Sequence, residues 1–138
     1  MKGDEFRSLL DELATSWRDQ RYIDAVKLFT PDVRYVDPIR CSLSGREVLL
    51  AFLKNDEGYA QVTTWHNVLF DEAAQMGVVE YSYRGTHLYH GVVLVTLEGV
   101  RIARWREYQH VSDLVLAVVF PGCPGVAVVR SRRTSACS

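Results

Sequence analysis

The hydrophobic period of this 138-residue chain changes once, near residue 60, and that change limits the folds open to it. Before it the pattern is helical. Phe6, Leu9, Leu10, Leu13 and Trp17 fall on one face of a helix over about residues 4–19, with Asp4 as its expected cap. Tyr22, Ala25, Val26 and Phe29 repeat the pattern in a second helix ending before Pro31. Val48, Leu49, Phe52 and Leu53 mark a third, with Ser44 and Glu47 at capping-box spacing. After it, stretches 62–71, 76–84, 87–97 and 100–111 are rich in Val, Tyr, Trp, Thr and Leu. The turns between them are short, which favours an antiparallel meander.

One stretch breaks the helical half. Asp32-Val33-Arg34-Tyr35-Val36-Asp37-Pro38 reads as a strand, with Val33, Tyr35 and Asp37 on one face. Pro38 has no N–H for a ladder, so pairing stops at Asp37, followed by a loop over 38–43. Three helices cannot cover both faces of a sheet this long. The expected class is therefore α+β: a cone-like, curved antiparallel sheet closed on its concave face by the three N-terminal helices, with a pocket between the layers.

Residues 1–113 read as a single domain and 114–138 as an extension, apolar over Leu114–Phe120 and basic at Arg130, Arg132 and Arg133. A formal net charge of −1 argues against a general nucleic-acid or membrane surface. No apolar run is long enough for a membrane span, and the N-terminus lacks a signal-peptide pattern. Cys41, Cys123 and Cys137 match no zinc or redox spacing, which suggests reduced thiols and a cytoplasmic location. His87 and His90, three apart on a strand, point to opposite faces, so no metal pair is expected.

Leu28-Phe29-Thr30-Pro31-Asp32-Val33 leading to Asp37-Pro38, then Ser44-Gly45-Arg46-Glu47, then Gly99-Val100-Arg101-Ile102 and Trp105-Arg106-Glu107-Tyr108-Gln109-His110 together resemble the nuclear transport factor 2-like superfamily. This includes the SnoaL-like polyketide cyclases, limonene epoxide hydrolase and ketosteroid isomerase. The resemblance covers about residues 5–113. It implies a homodimer through the outer sheet face and a pocket for a small hydrophobic molecule, with no metal and no organic cofactor. The isomerases' base is the aspartate of an Asp-Pro pair, here Asp37, but their oxyanion donors would fall near Leu13 and Val92 or Val93, which cannot serve. The hydrolase's middle-strand acid would fall at Glu80, its arginine being lost. The closing-strand acid falls at His110.

Asp37, His110 and Glu80 are therefore the catalytic candidates, and Tyr35, Trp17, Tyr22, His66, Tyr81 and Trp105 the candidates for lining a pocket suited to a flat apolar ligand. Glu80 belongs to the site only if it points inward between Val79 and Tyr81. Asp37 has a second reading, as an Asx turn closing onto its own loop. Two functions fit: a cofactor-independent acid/base enzyme of cyclase, isomerase or hydrolase type, or a ligand-binding or dimerisation module without catalysis.

Overall fold

The computed structural model describes residues 1–111. The expected extension over 114–138 lies outside them. The elements run α1 (Gly3–Arg18), α2 (Tyr22–Lys27), β1 (Phe29–Asp37), β2 (Cys41–Ser44), α3 (Arg46–Leu53), a 3-10 turn (Lys54–Asp56), then β3 (Val62–Asp71), β4 (Met76–Arg84), β5 (Leu88–Glu98) and β6 (Arg101–Val111). The strands form one sheet in the order β2-β1-β6-β5-β4-β3. All neighbours are antiparallel except β1 and β6, which run parallel because β1 enters beside the last strand of the meander. The α+β class and the helix-covered curved sheet are as the sequence leads one to expect.

The differences are local. The stretch read as a loop over 38–43 turns at Ile39 and Arg40 and returns as edge strand β2, pairing Asp37 with Cys41 and Arg34 with Ser44. Ser44 thus belongs to a strand, and α3 is capped by Gly45, whose φ of 93° is one that only glycine takes without strain. Phe29 opens β1 instead of closing α2, and it is still fully buried. Pro31 sits inside β1 where the register with β6 shifts between Phe29 and Arg34, so its missing N–H interrupts no ladder. At α1, Lys2 is the cap, and its backbone N–H donates to Glu5 at 2.6 Å; Asp4 lies inside the first turn.

Two bulges set which side chains reach the core. In β3, Trp65 opposes Tyr81 but Asn67 opposes Glu80, so His66 is the extra residue and the inward parity changes from Trp65 to Val68 and Phe70. In β6, Ala103 is extra between the pairs Thr96–Arg104 and Leu97–Ile102, which lets Ile102 and Trp105 both face inward. Helix α1 lies over this concave face. Phe6 stacks on Phe70 with centroids 4.5 Å apart, and Trp65 Nε1 donates to the Leu10 carbonyl at 3.1 Å. A side chain at Gly77 would overlap the Phe6 ring, so this position needs glycine for close approach. Trp17 meets Trp105 edge-on at 6.0 Å and Trp65 at 6.5 Å. These aromatics fill one end of the space under the helices and leave the other open.

Candidate active site

The open end is a cavity of about 310 Å³ between the concave face of β1, β4, β5 and β6 and the end of α3. Its deep wall holds Tyr35, Asp37, Tyr81, Trp105 and Glu107, all buried, while Arg40, Asn55 and Thr86 are exposed at its rim. Trp17, Trp65 and Trp105, the chain's three tryptophans, all line it.

Glu107 is the organising residue. It is 5% exposed, and a carboxylate so placed needs donors. It has three. Tyr35 Oη donates to Oε1 at 2.8 Å, and Trp105 Nε1 and Tyr81 Oη reach Oε2 at 2.9 and 3.2 Å. Trp105 and Glu107 are two residues apart on β6, so both project inward; Tyr35 is Trp105's partner on β1 and stacks on it, centroids 6.0 Å apart and planes 7° from parallel. Burial raises the Glu107 carboxyl above its ordinary range; the donors from Trp105, Tyr35 and Tyr81 oppose this, and the charge of Asp37 adds to it. Burial and then Glu107 push the Tyr35 hydroxyl well up, and the same causes raise Tyr81. Both phenols stay protonated and act as donors. Tyr81 Oη also lies 2.9 Å from the Gln109 amide oxygen. A hydroxyl has one hydrogen to give, so with the Gln109 amide turned nitrogen-first every bond is satisfied: Gln109 donates to Tyr81, and Tyr81 to Glu107.

Asp37 sits beside this network but outside it. It is 2% exposed, at the end of β1, and Oδ1 accepts the Ile39 backbone N–H at 3.0 Å, the expected Asx turn. Oδ2 accepts no hydrogen bond among the described residues. Arg40 Nε lies 3.9 Å from it. On the other wall, Tyr83 Oη donates to Asp56 Oδ2 at 3.0 Å, and burial and then Asp56 raise that phenol. Burial also raises the Cys41 thiol, so this cysteine at the cavity edge is held as the thiol. Among the described residues no group of three or more His, Cys, Asp or Glu side chains is arranged to hold a metal ion.

The structure thus brings Asp37, Tyr35, Trp17, Tyr81 and Trp105 to one cavity. It sets the other named residues elsewhere. Glu80 lies between the buried Val79 and Tyr81 and so points to the convex face, where Asn67 Nδ2 donates to it at 2.5 Å. His110 follows inward-facing Gln109 and is also convex and exposed, its ring 6.0 Å from His90. His66, the bulge residue of β3, shares a hydrogen bond of 2.9 Å with Ser82 on that face. Tyr22, the first residue of α2, is buried and does not line the cavity. Glu107, Arg40, Asp56 and Gln109 were not among the candidates. Glu107 had a readable signal: it lies two residues from Trp105, and strand alternation puts both on one face.

This architecture and cavity define the nuclear transport factor 2-like fold. By structure, the chain is similar to an LEH-like epoxide hydrolase of M. tuberculosis, at 14% identity and a TM-score of 0.68, covering 86% of this chain and 98% of that one. A candidate ketosteroid isomerase from Kribbella flavida superposes at a TM-score of 0.67 with 18% identity, covering 81% of this chain and 82% of the other. A candidate SnoaL-like polyketide cyclase from Shewanella putrefaciens gives a TM-score of 0.67 with 11% identity over 79% of this chain and 91% of its own. No protein-family model matches the chain, and no curated protein matches it by sequence, so the likeness is one of fold.

Proposed function

We propose that the cavity is a small-molecule site for cofactor-independent proton transfer, with Asp37 as the group that takes the proton. The observation that supports this reading is the unequal treatment of two neighbouring buried carboxyls. Glu107 has three donors, whereas Asp37 Oδ2 has none among the described residues. An acceptor left unsatisfied at a cavity wall is open to whatever donor a bound molecule brings. Tyr35, Tyr81 and Trp105 act through Glu107 as positioning residues. The aromatic lining suits a flat, largely apolar body. The superposed hydrolase, and the isomerase and cyclase candidates, are consistent with this class of chemistry. We further propose a cytoplasmic location and a homodimer, and light scattering at several concentrations tests the dimer. No described helix is long and apolar enough to cross a membrane.

The test is a panel of small aromatic ketones and epoxides in deuterated water, followed by NMR for deuterium uptake and for diol. Asp37→Asn should reduce turnover by about 10²–10⁴-fold, the usual worth of a positioned base. Turnover unchanged in that variant would remove Asp37 from the mechanism.

A second reading, ligand binding without catalysis, also has an observation behind it. The polar groups of Tyr35, Tyr81 and Trp105 are all engaged by Glu107, which leaves those three nothing to offer a developing negative charge on a substrate. Binding without exchange or hydrolysis across the panel would favour it.

A further inference from the structure

The charge of the cavity narrows its ligand. Among the described residues three carboxyls face it, from Asp37, Asp56 and Glu107, against the single cation Arg40. The walls between them are indole and phenol rings, whose faces are electron-rich. One of these faces already carries a cation: the Arg40 guanidinium lies over the Tyr89 ring, 4.8 Å from its centroid. The same guanidinium approaches Asp37 Oδ2 only to 3.9 Å, too far for a hydrogen bond, so that buried oxygen keeps its need for a donor.

From these observations we infer that the cavity binds a small amphipathic amine, protonated at neutral pH, whose ammonium group displaces Arg40 from between Tyr89 and Asp37 and whose flat apolar body lies against the tryptophans. The inference rests on the reading of this cavity as the functional site, and it names the substrate class. Arg40 is then the site's own occupant in the absence of ligand. It sits on the rim, is exposed, and reaches inward on a flexible stem, so it can swing out at little cost. A compact ammonium donates directly to Oδ2, which the guanidinium does not. The acidic hydrogen nearest Asp37 is then one on, or beside, the charged nitrogen. The opposite assignment, Arg40 as receptor for an anionic ligand, would place that anion beside Asp37 and Asp56, where like charges oppose it.

The experiment compares three probes of one size and three charges: 2-phenylethylammonium, 2-phenylethanol and phenylacetate. Intrinsic tryptophan fluorescence is a reporter confined to the cavity, since every tryptophan lines it. The ammonium should bind about tenfold or more tightly than the alcohol, with phenylacetate weakest. Arg40→Ala should tighten the ammonium about threefold or more by removing its competitor, and Asp37→Asn should erase its advantage over the alcohol. Circular dichroism checks that each variant is folded. An alcohol that binds as well as the ammonium, or a phenylacetate affinity lost on Arg40→Ala, overturns the inference and leaves the cavity as a ligand site. No fluorescence response to any probe, by titration to saturation limits, counts against the cavity reading itself and the inference with it.

Discussion

Tyr35→Phe removes one hydroxyl and almost nothing else. The ring keeps its place, because stacking on Trp105 and the tilted contact with Phe52 at 5.6 Å do not involve the oxygen. What is lost is the 2.8 Å hydrogen bond to Glu107, made between two side chains that are each 5% exposed. A neutral hydrogen bond of this kind contributes about 0.5–1.5 kcal/mol, and one to an ionised group about 1.5–3 kcal/mol. The cost of the substitution must therefore depend on the charge of Glu107, and so on pH. The sign follows from linkage. Burial raises the folded-state carboxyl above its unfolded value, so between the two the folded protein holds the extra proton. This group's contribution to stability is fully present below the unfolded pKa and is lost as pH rises through the folded pKa. Tyr35 favours the charged form, so losing it raises the folded value further and enlarges that loss. Urea unfolding should show Tyr35→Phe costing about 1 kcal/mol at low pH, where Glu107 is protonated, and about 2–3 kcal/mol at a pH above its raised folded value, where it is ionised. Repeating the pair of measurements in Glu107→Gln should flatten the pH dependence, because the amide does not titrate in this range. Gln can turn its oxygen to Trp105 and Tyr81 and its nitrogen to Tyr35, whose hydroxyl rotates to accept. A cost that is the same at both pH values, or that survives undiminished in the Gln background, would refute the account of Glu107 as a buried carboxyl held by this phenol.

Other substitutions probe the sheet. Gly91→Ala places a methyl 2.8 Å from the Tyr108 carbonyl and 2.9 Å from both Gln109 Cβ and the Tyr81 ring, so it should cost about 1–3 kcal/mol by overpacking. An unchanged urea midpoint would show that β4 and β6 yield there freely. His110→Ala and Glu80→Gln alter only the convex face and should leave probe affinity and any turnover within about twofold; a tenfold fall in either by the assays above would mean that this face communicates with the cavity.

The helix order, the meander and the Asp-Pro strand are legible in the sequence because each is a local pattern: a 3.6-residue period, a two-residue period, and a proline without a donor. The edge strand β2 is not, because Cys41-Ser42-Leu43-Ser44 is too short to show a period, and its partner is fixed by the turn at Ile39 and Arg40. The face of each site candidate is the harder matter. A family pattern indicates that an acid/base group belongs on the closing strand and gives His110, yet a pattern carries no parity. Trp105 does. An indole nearly always seeks burial, so Trp105 marks the inner face of β6, and counting by twos from it reaches Glu107 and Gln109 and passes over His110. The same count from Tyr81 passes over Glu80. It fails only across a bulge, as at His66 and Ala103, and neither residue type nor spacing announces those two. Asp37 remains where the strand pattern puts it, ending a face that begins with Val33 and Tyr35. What the pattern alone could not supply is its neighbour. The acid that gives Asp37 its setting comes from β6, the last described strand, and the parallel pairing of β1 with β6 brings Glu107 beside it.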